Sequence, residues 1–414
     1  MAPIANLYYE GDDMNAVGID VSKGTSTVAI IRPLGEIVRK PFDVIHSPKG
    51  LSELANLILS LEGESKVVLE NTGKYSDPVI KVLSEAGVFV CPVNAKLIHD
   101  YGGDTIRRDK TDPIDSLKIA RFCLDKWVNL KRYTPVDELR KTLKTYNRQL
   151  DEYMKVKVML KNNLISLTDQ VFPGVNGLFS SAARESDGHE KWIDFLARFW
   201  HCECVTALSE AAFAKIYAQW CKRNGYNFAA SKSAQIYESA SNQQASLSKN
   251  DFTKTLIFQT VEQLNRLCAT IAKLKAEMTK LAKTMPEYET VIQMHGVGTT
   301  LAPQLIAELG DIRNFPKRAS LARFAGIEPP QNQSGSYNQH SRRISKQGSP
   351  KLRKALFQVM RCVLQLKNPH EDTFQFIDRK RAEGKPFKVY MIAGTNKFLR
   401  IYYARVKACM DLLE

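Results

Sequence analysis

The sequence predicts an α/β domain at the N-terminus followed by a long, mainly α-helical remainder. Three observations carry this. β-rich runs alternate with helically spaced apolar residues through the first 130 positions. Heptad-spaced apolar residues then dominate two long segments, and polar and basic stretches separate amphipathic helices in the last third.

In chain order, "AVGIDVSKGTSTVAIIRP" (16–33) holds two β-rich runs around the turn-rich "SKGTS", the pattern of a hairpin. "GLSELANLILSL" (50–61) has helical apolar spacing, and "KVVLENTG" (66–73) is a short buried-type strand with an acid at its end. "PVIKVLSEAG" (78–87) reads as a helix stopped by glycine, and "VFVCPV" (88–93) as a strand. That order predicts a mixed sheet covered by helices over residues 1–130.

From about residue 135 the texture changes. Leu139, Leu143, Tyr146, Leu150, Tyr153, Leu160, Leu164 and Leu167 follow alternating heptad steps, with Lys157 in the polar slot. A second seam runs through Leu264, Leu267, Ile271, Leu274, Met278 and Leu281. The spacing predicts coiled-coil helices across 131–286, paired within the chain or between subunits, with Lys157 setting register or partner number. Between the seams, about 175–250 reads as a helical insertion with Trp192, Trp200 and Trp220 in its core.

A third, mainly helical domain is expected over 287–414. "MHGVGTTLAPQLIAELG" (294–310) brings a Gly-x-Gly turn into an amphipathic helix, either to present N–H groups to a phosphate or simply to connect two helices. "FAGIEPPQNQSGSYNQHSRRISKQGSPKLRKAL" (324–356) reads as an exposed loop running into a basic helix.

Composition narrows the function. At 414 residues, 44% hydrophobic and 25% charged, this is a globular chain with room for two or three domains. No apolar run reaches membrane-spanning length, and "MAPIANLYYEGDDMN" lacks a basic-then-apolar signal layout, so a cytoplasmic protein without a membrane partner is expected. "HCEC" (201–204) has no second Cys/His pair at zinc-finger spacing, so the cysteines read as reduced thiols. Lys and Arg total 59 against 44 acids, a net charge of +15, which points to a polyanionic partner.

Within this basic chain, "RRDKTDPIDS" (107–116) keeps Asp112 and Asp115 on one face of a helix start, where acids also suit the positive end of the dipole. Asp20 follows "VGI" and Glu70 ends "VVLE", making a set of four carboxylates. Brought together, they would repel unless a cation neutralised them. Hard divalent ions such as Mg²⁺ or Mn²⁺ suit oxygen ligands and can clamp the attacking and leaving oxygens of a phosphoryl transfer. Candidate phosphate contacts are Arg107, Arg108, Lys110, Arg342, Arg343, Lys346, Lys351 and Arg353.

"GIDVSK", "VLENTGKY" and "RRDKTDPIDSLKIARFC", in that order, resemble the Asp-Glu-Asp-Asp domain of the insertion-sequence 110 transposases. That family includes the Piv-type DNA invertases and the bridge-RNA-guided recombinases. "MHGVGTTLAPQLIAELGDIRNF", "ASLARFAGIEPPQNQSGS" and "RRISKQGSPKLRKALFQVM" resemble its second transposase domain.

The resemblance implies a RuvC-like, ribonuclease-H-like fold for the first domain, with Asp20, Glu70, Asp112 and Asp115 as metal ligands. It implies a nucleophilic serine in Ser334-Gly335-Ser336, with Ser334 the better match. Read from the residues alone, Ser336, Ser341 and Ser345 stay open as rivals, because no obvious base adjoins any of them. The resemblance further implies a phosphoserine–DNA intermediate and a site assembled from two domains of different subunits. The implied partners are double-stranded donor and target DNA, a structured non-coding bridge RNA, and further copies of the chain as a dimer or tetramer. A prokaryotic cytoplasm, on the nucleoid when acting, is the implied setting. Three alternatives remain: a RuvC-like junction nuclease using water, a site-specific invertase, and a non-catalytic nucleic-acid-binding protein.

Overall fold

The computed structural model describes residues 14–71, 73–101, 111–330, 333–334, 337–338 and 343–412, with 333–334 and 337–338 described by backbone alone. The chain divides into two compact units, Met1–Val136 and Asp137–Glu414.

In the first unit, five strands among the described residues form one sheet in the order β3-β2-β1-β4-β5. These are β1 (Met14–Val21), β2 (Thr25–Ile31), β3 (Ile37–Ile45), β4 (Glu64–Glu70) and β5 (Phe89–Val93). β1, β2 and β3 are antiparallel neighbours, whereas β4 runs parallel to β1 and β5 parallel to β4. The mixed sheet and its first hairpin match the sequence reading. β3 had escaped it, because Pro41 and the exposed Arg39 and Lys40 break the apolar alternation. Such residues belong on a sheet edge, where an unpaired backbone must be protected from further pairing.

The two sheet faces are covered separately. α1 (Pro48–Leu59) and α2 (Asp77–Glu85) bury Leu51, Leu54, Ile58, Val79 and Leu83 against Val17, Ile19, Val28, Ile30, Val67 and Leu69. α1 starts cleanly because Ser47 Oγ accepts from Gly50 N at 3.0 Å and Pro48 takes the first turn. The opposite face is covered by α3 (Ala95–Tyr101), also missed in the sequence, and α4 (Asp112–Asp125). There Ile98, Ile119, Ala120 and Cys123 meet Ala16, Ile31, Val68, Cys91 and Val93. The period-two alternation of each strand thus feeds two different cores.

In the second unit, α5 (Glu138–Thr168) leads into α6 (Lys191–Leu196), α7 (Glu203–Thr206), α8 (Glu210–Arg223) and α9 (Ala230–Asn242) before α10 (Asp251–Ala282) returns along it. Leu143 and Leu150 share a core with Ile271 and Met278, while Leu164, toward the other end, shares one with Ile257 and Leu264. α5 and α10 are therefore an antiparallel pair within one chain. Leu139, expected at the head of the seam, is 48% exposed. Arg140 takes the buried position instead, because its guanidinium holds the buried Glu287 carboxylate through two nitrogens, Nη2 at 2.9 Å.

Lys157 meets Glu190 at 3.3 Å, just before α6, so the polar residue of the seam is answered from the insertion. Trp192, Trp200 and Trp220 are buried there with Phe195, Phe199, Phe213 and Tyr217. His201 is a structural residue: its Nε2 lies 3.0 Å from Leu247 O, and its Nδ1 accepts from Glu203 N at 3.1 Å.

The remainder comprises α11 (Tyr288–Ile292), α12 (Leu301–Leu309), α13 (Arg318–Ala325), the strands β6 (Gln333–Ser334) and β7 (Tyr337–Asn338), α14 (Pro350–Leu366), α15 (Asp372–Ala382) and α16 (Phe387–Asp411). Leu305, Leu321, Leu352, Val359, Phe398 and Tyr402 fill its core together with Leu143 and Ile271. In the Gly-x-Gly turn, Gly296 sits at φ +79° with α14 pressed against it. A Cβ there would fall 2.6 Å from Val363 Cγ2, so that glycine serves helix packing.

Candidate active site

The β1–β4 ladder pairs Gly18 with Val68 and Ile19 with Leu69, so Asp20 and Glu70 are the next residues in step on adjacent parallel strands. Neighbouring strands lie about 4.8 Å apart. Parity sets their direction: Ala16 and Val68 face α4, so Asp20 and Glu70, even-numbered on the same strands, face the same way. Both are partly buried and both have interaction partners.

α4 is laid against this face by one glycine. A Cβ on Gly18 would fall 2.9 Å from Ala120 Cα, with Ser116 O and Ala120 N nearer still. Only glycine lets a helix backbone approach a strand so closely. The Cys123 thiol, further along α4, reaches Lys66 O at 3.4 Å. Since Lys66 precedes Glu70 along β4, α4 runs counter to β1 and β4. Its first turn, with Asp112 exposed and Asp115 partly buried, therefore lies toward the strand ends that carry Asp20 and Glu70.

The row extends further. Thr27 pairs with Asp20 across β1–β2 and with Asp43 across β2–β3, and its hydroxyl donates to Asp43 Oδ1 at 2.7 Å. Asp43 is thus a fifth carboxylate on this face, and the unread β3 hid it. Gly18 carries its own local signal, since a lone glycine inside an apolar strand marks close backbone approach.

An all-carboxylate donor set suits a hard divalent cation. Among the described residues, however, no three His, Cys, Asp or Glu side chains gather closely enough to hold an ion. The four acids share a face and an end of the sheet without forming a closed cage. Arg107, Arg108 and Lys110, just ahead of α4, lie outside the described residues.

Ser334 belongs to the second unit. The expected loop contains a short antiparallel hairpin in which Gln333 pairs with Asn338 and Ser334 with Tyr337. Only Gly335 and Ser336 separate the paired residues, the length of a tight hairpin connection. The Ser334 side chain, Ser336, Ser341 and Arg342 lie outside the described residues.

The chain on either side of this hairpin is stitched into a neck. Ser345 N donates to Glu328 O at 3.0 Å, Lys346 N to Gly326 O at 3.0 Å, and Ser349 N to Phe324 O at 2.9 Å. Gly326 adopts φ +65° and Lys346 φ +56°. A Cβ on Gly348 would fall 2.6 Å from Gly326 N.

The cations around the neck divide by role. Arg353 Nη1 donates to Ala325 O at 2.9 Å and to Gly348 O at 3.1 Å, clamping the neck shut. Lys351 meets Asp151 at 3.2 Å and Lys354 meets it at 2.9 Å. Burial alone would raise the Asp151 carboxyl, but these lysines outweigh it and hold it below the usual range. Arg343 and Lys346 are exposed. Ser345 Oγ accepts from Gln347 N at 3.3 Å.

A DEDD transposase domain of the IS110 type matches residues 17–173, and the domain described as "Transposase IS116/IS110/IS902 family" matches 288–375. The class is that of the transposases. The chain belongs to the IS110 family. It is 22% identical over 376 residues to an IS116 insertion-element protein of 44.8 kDa from Streptomyces clavuligerus, covering 89% of this chain and 88% of that one. It is also 29% identical over 141 residues to the pilin gene-inverting protein of Moraxella bovis, covering 33% of this chain and 43% of the relative. Among the described residues no helix is long and apolar enough to cross a membrane.

Proposed function

We propose that this transposase cuts and rejoins DNA through a covalent phosphoserine intermediate. Ser334 is the nucleophile, and Asp20, Glu70, Asp112 and Asp115 are the ligands of Mg²⁺ or Mn²⁺. The observation that most supports the metal half is the shared register of Asp20 and Glu70 beside the first turn of α4. The mixed sheet supports a RuvC-like, ribonuclease-H-like reading of the first unit.

Bound by those carboxylates, a divalent ion supplies electrostatic stabilisation of the scissile phosphate. The chain's own residues do the rest. The Ser334 oxygen attacks phosphorus, and the new Oγ–P bond replaces a P–O bond of the DNA strand. The departing DNA oxygen leaves as a hydroxyl, taking up the proton the serine gives up. Resealing reverses this, with a DNA hydroxyl displacing the serine, so the ester conserves the bond energy and no ATP is consumed. Arg343 and Lys346, exposed beside the hairpin, offset charge that develops on the phosphate.

A structured bridge RNA pairs with donor and target DNA and specifies both, while the protein reads backbone shape and charge. The net +15 supports this. The active assembly is a homo-oligomer, dimer or tetramer, acting on the nucleoid of a prokaryotic cytoplasm. The second reading is a site-specific invertase, favoured by the likeness to the pilin gene-inverting protein.

The test uses labelled donor and target DNA with the protein and its co-expressed flanking RNA, followed by peptide mapping of the covalent adduct. Ser334→Ala abolishes the adduct, and Asp112→Asn loses strand cleavage while retaining RNA binding. An adduct on another serine moves the nucleophile. Cleavage by Ser334→Ala without any adduct assigns the chemistry to a water-using nuclease.

A further inference from the structure

Where α15 hands over to α16, aromatic side chains stand in solvent. Phe387 opens α16 and is 49% exposed, while Phe357 on α14 is 38% exposed. Their centroids lie 6.1 Å apart with planes at 81°, and Tyr390, partly buried against the helical core, supports Phe387 from 5.4 Å at 85°. In an edge-to-face pair one ring offers its edge, so its own faces stay uncovered by that partner.

The surroundings are basic. Residues 379–390 hold five Lys or Arg against one acid, Glu383. That acid is already taken, because Lys380 Nζ donates to its two oxygens at 2.9 and 2.7 Å. Arg361, one turn beyond Phe357, and Lys385 and Lys388 beside Phe387 make no side-chain hydrogen bond or ion pair among the described residues. Exposed rings beside cations that hold no hydrogen bond or ion pair among the described residues match the chemistry of an unpaired nucleotide, whose base stacks while its phosphate meets the charge. A duplex hides its base faces, and an apolar protein partner would leave the cations unanswered.

We infer that Phe357 and Phe387, the latter braced by Tyr390, form a stacking platform for unpaired nucleotides, with Arg361, Lys385 and Lys388 meeting the phosphates. Phe387 and Tyr390 lie beyond the family-matched residues 288–375, so the inference rests on this chain's own residues. It also rests on the protein acting on nucleic acid. Binding is measured without cleavage, so failure of the serine chemistry leaves it untouched.

The experiment is fluorescence anisotropy of the full chain with oligo(dT), oligo(U) and a duplex of equal length. Phe387→Ala is expected to weaken single-strand binding about tenfold, Phe387→Leu to weaken it as much, and Phe387→Trp to preserve it. Duplex binding is expected to stay unchanged. Lys388→Glu is expected to lower the salt slope of single-strand binding by about one. A larger effect on oligo(U) assigns the platform to unpaired RNA, and a larger effect on oligo(dT) to a DNA strand. Wild-type single-strand binding by both the Ala and Leu variants overturns the platform. So does a Phe387→Ala variant that binds normally but sediments as a smaller species, since a second copy of the chain would then cover the patch.

Discussion

The Ser349 hydroxyl donates to Glu308 Oε2 at 3.0 Å while accepting from Leu352 N at 3.1 Å, so the residue that caps α14 is itself anchored on α12. Glu308 is 2% exposed and also accepts from Asn147 Nδ2 at 2.8 Å and Arg148 Nη2 at 3.2 Å on α5. One buried carboxylate therefore joins α5, α12 and α14 at Ser349, a residue of the neck. Glu308→Ala leaves the buried Asn147 amide and the Ser349 hydroxyl without their acceptor, while the half-exposed Arg148 can turn to water, and should cost about 1–3 kcal/mol in denaturant unfolding. A loss under about 1 kcal/mol, the scale of an exposed pair, would show the network to be dispensable.

Gly18→Ala tests the approach of α4. The added methyl meets the α4 backbone, which cannot yield as a flexible side chain would. The helix must lift from β1, costing on the order of 3 kcal/mol. Because Asp112 and Asp115 ride on that helix, strand cleavage should fall further than stability does. Comparing thermal unfolding with cleavage well below the transition separates the two effects, and wild-type values for both would refute the close packing.

Arg353 is expected to behave as a neck residue. Arg353→Ala leaves Ala325 O and Gly348 O without their donor and should reduce the rate of adduct formation about tenfold, with little change in RNA affinity. A direct phosphate contact predicts the reverse, a uniform loss of affinity and a shallower salt slope. Measuring both on one variant decides between them.

Glu190 supplies a pH signature. Burial would raise its carboxyl, but hydrogen bonds from Lys161 and Trp192 and the Lys157 charge outweigh that and hold it below the ordinary 4.5. A depressed carboxyl contributes its stability above the unfolded value, and that contribution is lost as pH falls through the folded one. Glu190→Gln should therefore cost about 1.5–3 kcal/mol at neutral pH, and the gap to wild type should close below pH 4.5. Parallel stability curves down to strong acid would contradict the assignment.

Much of the fold could be read locally. The hairpin of β1 and β2, the helices α1 and α2, and the strands β4 and β5 follow from short apolar patterns and their punctuation. β3 resisted because an edge strand need not alternate apolar residues, and Leu139 misled because heptad spacing does not say where a helix pair begins. Arg140 could not have been read as buried, since its partner Glu287 lies 147 residues away.

By itself the sequence determined the β1–β2 hairpin, β4, β5 and the long amphipathic helices, the order of the acid-bearing motifs, the family and the basic balance that calls for a polyanion. These depend on side chains near one another in the chain. Only the tertiary structure decided that Asp20 and Glu70 are strand neighbours, that Gly18 brings α4 against their face, that the heptad helices pair within one chain, and that Arg353 clamps a neck. Each of these is a contact between distant segments, set by strand register and close packing of the backbone, and no local pattern encodes it.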